Sequence, residues 1–152
     1  MRRYPYFLVA LLVVLFDQAT KYVVRVSLDT FETIRVLPFF NVVHVRNEGA
    51  AFGLFKSLGN AAFIVVSVGA LVLVTFLLLK TKEDRLSLSL ILGGAIGNLI
   101  DRILFGRVTD FVDVFVGRFH WPAFNVADSA LTVGLMLMLL RSLPFVQRKE
   151  TA

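Results

Sequence analysis

The chain has 152 residues, 57% hydrophobic and 18% charged, with a mean hydropathy of +0.78. A soluble domain is typically about 45–50% apolar and about 25% charged; here the excess falls in blocks long enough to cross a bilayer, which excludes a soluble globular, disordered or collagen-like chain. The formal charge is +5 and cysteine is absent, so disulfides and thiolate chemistry are excluded, and basic residues that form no continuous stripe point to flanked membrane spans rather than nucleic acid.

The predicted elements, in chain order, begin with a helix over about 4–26. Arg2-Arg3 and the apolar run after it imitate a signal peptide, but no small-x-small cleavage site follows and Asp17 interrupts the run. We read it as a retained first span that carries Asp17, Gln18, Lys21 and Arg25. The segment of about 27–57 is different in kind. Thr30 to Val36 and Phe39 to Arg46 alternate roughly and are rich in β-branched residues, with Pro38 between them, which predicts two strands on the outer surface. Asn47-Glu48-Gly49-Ala50-Ala51-Phe52-Gly53 then turns into a short apolar stretch.

The second span, about 58–79, carries no charge. Leu86 to Ile100 is uncharged but too short, at roughly 1.5 Å per residue, for a roughly 30 Å core. The third span, about 86–105, must therefore take in Asp101 and Arg102. Val108 to Phe119 alternates in part and can add a strand, and the fourth span, about 123–141, takes in Asp128. The expectation is a mainly α membrane protein: one integral membrane domain of four transmembrane helices with a small extracytoplasmic antiparallel β-sheet or cradle. Basic residues are densest at Arg2, Arg3, Lys80, Lys82, Arg85, Arg141, Arg148 and Lys149, which puts both termini in the cytoplasm.

Helical rise gives a depth. If the three spans start at the cytoplasmic interface, Asp17, Asp101 and Asp128 each lie roughly 20–24 Å from it. Ionisable groups in a span are costly and face a bundle interior or a polar cavity. The plain alternative is local neutralisation, Asp17 by Lys21 at i+4 and Asp101 by Arg102. Three carboxylates at one level favour a shared site.

The chemistry narrows by residue type. His44 and His120 are isolated, no zinc or calcium motif occurs, and no metal or cofactor is expected. No nucleophile-elbow motif surrounds a serine, and Lys21 is the sole lysine at a depth to serve one. Carboxylates remain. Asp110, just after the third span, and Asp128, at the outer start of the fourth, can meet at one surface. Two adjacent carboxylates share a proton, so one can activate water while the other polarises a carbonyl. Asp113 is a rival for the place of Asp110. Asp128 can instead serve a capping box with Asn125 as N-cap. In the third span Gly93 and Gly97 allow close helix approach, while Asn98, Asp101 and Arg102 gather an amide, an acid and a guanidinium.

Five blocks then carry a resemblance: Asp17-Gln18-Ala19-Thr20-Lys21, Asn47-Glu48-Gly49-Ala50-Ala51-Phe52, Gly93-Gly94-Ala95-Ile96-Gly97-Asn98-Leu99-Ile100-Asp101-Arg102, Val108-Thr109-Asp110-Phe111 and Phe124-Asn125-Val126-Ala127-Asp128. In these, their order and the four-span layout, the chain resembles the bacterial lipoprotein signal peptidases, the type II signal peptidases, which are aspartic membrane proteases. The resemblance implies an endopeptidase that cuts a prolipoprotein just before its diacylglyceryl-modified cysteine. It implies Asp110 and Asp128 as the catalytic pair, in place of Asp113. It implies Asn47, Asn98, Arg102 and Asn125 as polar residues holding substrate backbone, with Gly49 in the same block, and Asp17, Lys21 and Asp101 as their support. The expected partners are that precursor and membrane lipid, the expected state a monomer, and the expected place the bacterial cytoplasmic (inner) membrane with the active site near the outer face. A proton-coupled transporter would instead spread its acids along a path across the membrane, and a scaffold would leave Asp110, Asn98 and Asn125 unexplained.

Overall fold

Chain order explains how two layers form, a helical bundle and a sheet at one end of it. The computed structural model describes residues 4–49, 59–82 and 84–143. Ala50-Ala51-Phe52, Leu58 at the start of the predicted second span, and Arg2, Arg3, Arg148 and Lys149 lie outside the described residues. The elements are α1 (Tyr4–Ser27), β1 (Thr33–Leu37), β2 (Phe40–Asn47), α2 (Gly59–Lys80), α3 (Arg85–Phe105), β3 (Val108–Val116), β4 (Phe119–His120) and α4 (Val126–Ser142). By length and composition α1, α2 and α3 are long and apolar enough to cross a membrane. The 17 residues of α4 span about 25 Å, less than a straight crossing of about 30 Å.

Helix α3 is the hub and packs on α1, α2 and α4. Its glycines are what let the neighbours come so near. A Cβ on Gly93 would stand 2.7 Å from the Ala10 carbonyl oxygen of α1. Gly94 abuts the Ala127 carbonyl of α4, and Gly97 lies between Asp17 and Ala127. At one end of the bundle Ala10, Val74, Leu78, Leu88, Ile91 and Leu92 form a dry core. There Arg85 lies over the Tyr6 ring and Arg141 reaches Asp84 at 3.3 Å, so the starts of α1 and α3 and the end of α4 meet. At the other end the interior is polar. Leu8, Leu12, Leu15, Val65, Val66, Val72, Leu139 and other large apolar side chains face outward, an inside-out pattern that fits a lipid surround better than water.

Gly97→Ala tests this packing. The new methyl would lie 2.6 Å from Asp17 Oδ2, and Asp17 is buried and held on both oxygens, so it cannot swing away. Overpacking costs about 1–3 kcal/mol, more than the about 1 kcal/mol that alanine gains in helix propensity. Denaturant unfolding in detergent should show a net loss; a variant as stable as the wild type would contradict so close an approach.

The sheet is antiparallel, in the order β1-β2-β3-β4. The first strand starts at Thr33, later than the predicted Thr30, because the chain first turns: Glu32 Oε2 accepts from the Asp29 N–H at 2.8 Å and Phe31 has φ 70°. The predicted strand over 108–119 divides into β3 and β4 because Gly117, at φ 61°, admits a turn. Strands β2 and β3 run in register from Phe40↔Val114 to Asn47↔Val108, with a bulge between Val42 and Val45. Beyond β4 the chain returns to β3, where the Phe111 and Val112 N–H groups both donate to the Phe124 carbonyl. That clamp sets Asn125, and with it the start of α4, beside Asp110.

Candidate active site

Asn125 is the residue that joins two carboxylates. As N-cap of α4 its Oδ1 accepts from the Asp128 N–H at 2.9 Å, and its own N–H donates to Asp128 Oδ2 at 3.3 Å, completing the capping box. Its Nδ2 donates at 2.7 Å to Asp110 Oδ1. The capping reading of Asp128 and the pairing of Asp128 with Asp110 are thus both present, and one side chain serves both. Asp110 Oδ2 accepts from Asn47 Nδ2 at 2.9 Å, and Asp128 Oδ1 accepts from Asn98 Nδ2 at 2.7 Å. Asp110 is fully buried and Asp128 half-buried.

Both carboxylates line one cavity of about 930 Å³, whose other walls include Phe31, Val45, Trp121, Pro122, Phe124 and Val133. Apolar walls with a few convergent polar groups are the usual make-up of a ligand site. Burial pushes the Asp110 carboxyl up to about 7; the nearby Asp128 adds to the rise, while the amides of Asn47 and Asn125 and the charge of Lys21 restrain it.

Asp113 lies elsewhere. Its Oδ2 accepts from Asn41 Nδ2 at 2.7 Å, and its Oδ1 faces His120 Nδ1 at 2.8 Å. His44 is buried in β2 with Nδ1 2.9 Å from the Leu28 carbonyl. Neither histidine lines the cavity.

Behind the two aspartates is a buried ionic cluster. Lys21 Nζ lies 2.9 Å from Asp17 Oδ2 and 3.7 Å from Asp101 Oδ2, and it donates to Asn98 Oδ1 at 2.9 Å. Asp17 Oδ1 accepts from the Ala127 N–H at 2.9 Å, so a carboxylate from α1 satisfies a first-turn donor of α4. Asp101 also takes the Thr109 N–H at 2.9 Å, which fixes the start of β3 next to Asp110. The i+4 neutralisation of Asp17 by Lys21 is present, whereas Asp101 pairs with Lys21 and Arg25 rather than with Arg102.

Two further members, Gln18 and Arg25, are polar residues of the first span to which the sequence assigns no site role. Gln18 Nε2 donates to the Gly97 carbonyl at 3.0 Å and to Asp101 Oδ1 at 3.2 Å, and Arg25 Nη1 lies 3.3 Å from both Asp101 Oδ1 and Thr109 Oγ1. The signal for Arg25 was its spacing: Asp17, Lys21 and Arg25 follow at i, i+4 and i+8, one face of α1. Arg102, half-buried, stacks its guanidinium over Phe63 at 5.2 Å within electrostatic reach of Asp128, Asp110 and Asp101. Among the described residues nothing is hydrogen-bonded to its guanidinium. Gly49 donates its N–H to Asn47 Oδ1 at 2.9 Å and so braces the amide that holds Asp110.

A family profile described as signal peptidase (SPase) II matches residues 9–144. The chain is 42% identical over 132 residues to a lipoprotein signal peptidase of Thermodesulfovibrio yellowstonii, covering 87% of this chain and 90% of that protein. It is 45% identical over 141 residues to a lipoprotein signal peptidase of Burkholderia thailandensis, covering 89% and 85%. Two solved structures, each described as a bacterial membrane enzyme obtained by the in meso method, superpose with TM-scores of 0.84 and 0.81 at 34% identity. The first covers 92% of this chain and 93% of its own, the second 90% and 85%.

Proposed function

The chain belongs to the signal peptidase (SPase) II family, a family of proteases, and on that premise we propose that it is an intramembrane aspartic endopeptidase. Its substrate is a prolipoprotein carrying diacylglycerol on a cysteine, cut at the peptide bond just before that cysteine. The observation that carries this reading is the single cavity in which Asp110 and Asp128 are held together through Asn125.

The mechanism follows from the pair. Two close carboxylates cannot both ionise cheaply, so they share one proton. The ionised one takes a proton from water, and the water oxygen attacks the scissile carbonyl carbon. The protonated one donates to the carbonyl oxygen, giving a tetrahedral diol. Collapse breaks the C–N bond, the proton passes to the departing nitrogen, and the products are a signal-peptide carboxylic acid and a lipoprotein with a free α-amino group on its lipidated cysteine. Asn47, Asn98 and Asn125 aim the carboxylates. Arg102, whose guanidinium has donors to spare, holds substrate backbone and faces the developing charge.

We place the enzyme in the bacterial cytoplasmic membrane with both termini inside and the site near the outer face. Lys80 at the end of α2, Arg85 at the start of α3 and Arg141 in the last turn of α4 all lie at the end opposite the cavity, which supports this sense. The short α4 is the fourth crossing, its outer end cut off where the site begins. A cleavage centre at that level meets a lipid-anchored cysteine in place; lifting the acyl chains out would cost about 0.8 kcal/mol per CH₂.

The test is cleavage of a diacylglyceryl-modified precursor by the purified chain in detergent, with the new terminus read by mass spectrometry. An intact precursor in the presence of folded protein refutes the proposal. The pH profile adds a second reading. Because Asp110 titrates near 7 rather than in the ordinary carboxylate range, the shared proton is lost as pH rises through about 7, and the rate falls with it. Asn47→Ala removes a hydrogen bond that favours the ionised form, so Asp110 holds its proton to higher pH. The alkaline limb of kcat/KM should move upward by up to about one pH unit; an unmoved limb or a downward shift would contradict the assignment.

A further inference from the structure

Every group in the proposed chemistry comes from α1, β2, α3, β3 or α4, and α2 supplies none. Yet the start of α2 touches two parts of the site. Asn60 Nδ2 donates at 2.9 Å to the Arg102 carbonyl, tying the first turn of α2 to the last turns of α3. One turn on, the half-buried Phe63 ring lies under the Arg102 guanidinium, 5.2 Å from centroid to Cζ. The same ring packs against Gly49, where any Cβ would overlap its Cε2, Cζ and Cδ2 atoms and where φ is +96°. Gly49 in turn donates to Asn47 Oδ1, and Asn47 donates to Asp110 Oδ2.

One ring therefore supports two lines of contact. The first runs to a guanidinium that the described residues leave free of hydrogen bonds. The second runs through a glycine turn to the amide that holds Asp110. A guanidinium that no described residue hydrogen-bonds takes its orientation from what lies against it, and an aromatic ring supplies this through cation–π attraction. A glycine adopts positive φ without steric cost but has the most conformational freedom to lose, so a neighbour packed against it helps to fix the turn.

Resting on the function proposed above, we infer that Phe63 is a positioning residue of this active site, the platform that orients Arg102 and seats the Asn47–Gly49 turn against Asp110. The requirement is for a flat ring at this position of α2. Phe63→Leu keeps apolar bulk and loses the platform, while Phe63→Tyr keeps it. Of the two tasks of Arg102, facing the developing charge is the one that depends on a fixed orientation, and Asn47 aims Asp110; the Trp121 and Val133 walls of the cavity are untouched, so the loss falls mainly on kcat.

The experiment measures kcat and KM on the diacylglyceryl precursor for wild type, Phe63→Leu, Phe63→Tyr, Arg102→Lys and the Phe63→Leu/Arg102→Lys double variant, with an unfolding curve for each. Phe63→Leu should lower kcat about tenfold with KM within about twofold, and Phe63→Tyr should stay within about threefold of wild type. The double variant should lose less than the product of the single losses, because the ring acts in part through Arg102. Unchanged kcat in Phe63→Leu, a loss confined to KM, an equal loss in Phe63→Tyr, or losses that multiply fully in the double variant would each overturn the inference while leaving the peptidase reading intact. A folded wild type that cleaves nothing sinks that reading first, and the inference with it.

Discussion

Asp110→Asn and Asp128→Asn are each expected to abolish precursor cleavage, with a loss of at least about 10³-fold in kcat, while Asp113→Asn stays within a few fold of wild type. An asparagine keeps the shape of the carboxylate but cannot take up a proton, and one proton must change hands at each carboxylate. The losses should not multiply in the double variant, since either change disables the same shared-proton unit. Stability moves the other way or hardly at all. Neutralising Asp110 removes a buried charge beside another carboxylate, which is the source of its upward titration, so folded protein should remain in hand for the assay. Asp113 contacts Asn41 and His120 and does not line the cavity. Equal loss in Asp113→Asn, or residual cleavage in Asp128→Asn near the wild-type rate, would break the pairing.

That Asp110 and not Asp113 stands beside Asp128 is a matter of backbone geometry that residue types alone do not disclose. Both are acids in one strand, three positions apart. What separates them is the clamp of Phe111 and Val112 on the Phe124 carbonyl, which delivers Asn125 to Asp110. The helices were legible because apolar run length and helical rise are local properties. Even the common level of Asp17, Asp101 and Asp128 within the bundle follows from 1.5 Å per residue. Direction around each helix is not local. It depends on how closely α1 and α4 approach Gly93, Gly94 and Gly97, and the outcome sorts the acids into two groups, Asp17 and Asp101 around Lys21 and Asp128 toward Asp110. The strands were legible in outline from alternation, and their ends slipped where Phe31 and Gly117 bend the chain. Phe63 left no trace in the sequence reading, since one phenylalanine in an apolar span resembles every other.

Lys21→Met should be among the most destabilising single substitutions in the bundle. Lys21 is fully buried and its ammonium meets three oxygens, on Asp17, Asp101 and Asn98. With Arg25, the cluster holds two acids and two bases and is neutral as a unit. Methionine fills the stem of the lysine but leaves a net negative charge where water cannot reach it. Removing one partner of a buried pair costs about 3–5 kcal/mol, chiefly through the charge left behind. Denaturant unfolding in detergent should show that loss. The compensated variant Asp17→Asn/Lys21→Met restores neutrality, with Asp101 and Arg25 still opposed, and should recover more than half of it. Activity should not recover in step. Asn98 Oδ1 loses the ammonium that orients its amide, and that amide is what aims Asp128. If Lys21→Met unfolds within about 1 kcal/mol of wild type, the cluster is not under the electrostatic load its burial implies. If the double variant regains stability and full activity together, Lys21 balances charge and nothing more. Stability regained without activity is the expected result, and it would separate the two tasks of one buried lysine: holding α1, α3 and α4 together, and setting the direction of a carboxylate that it never touches.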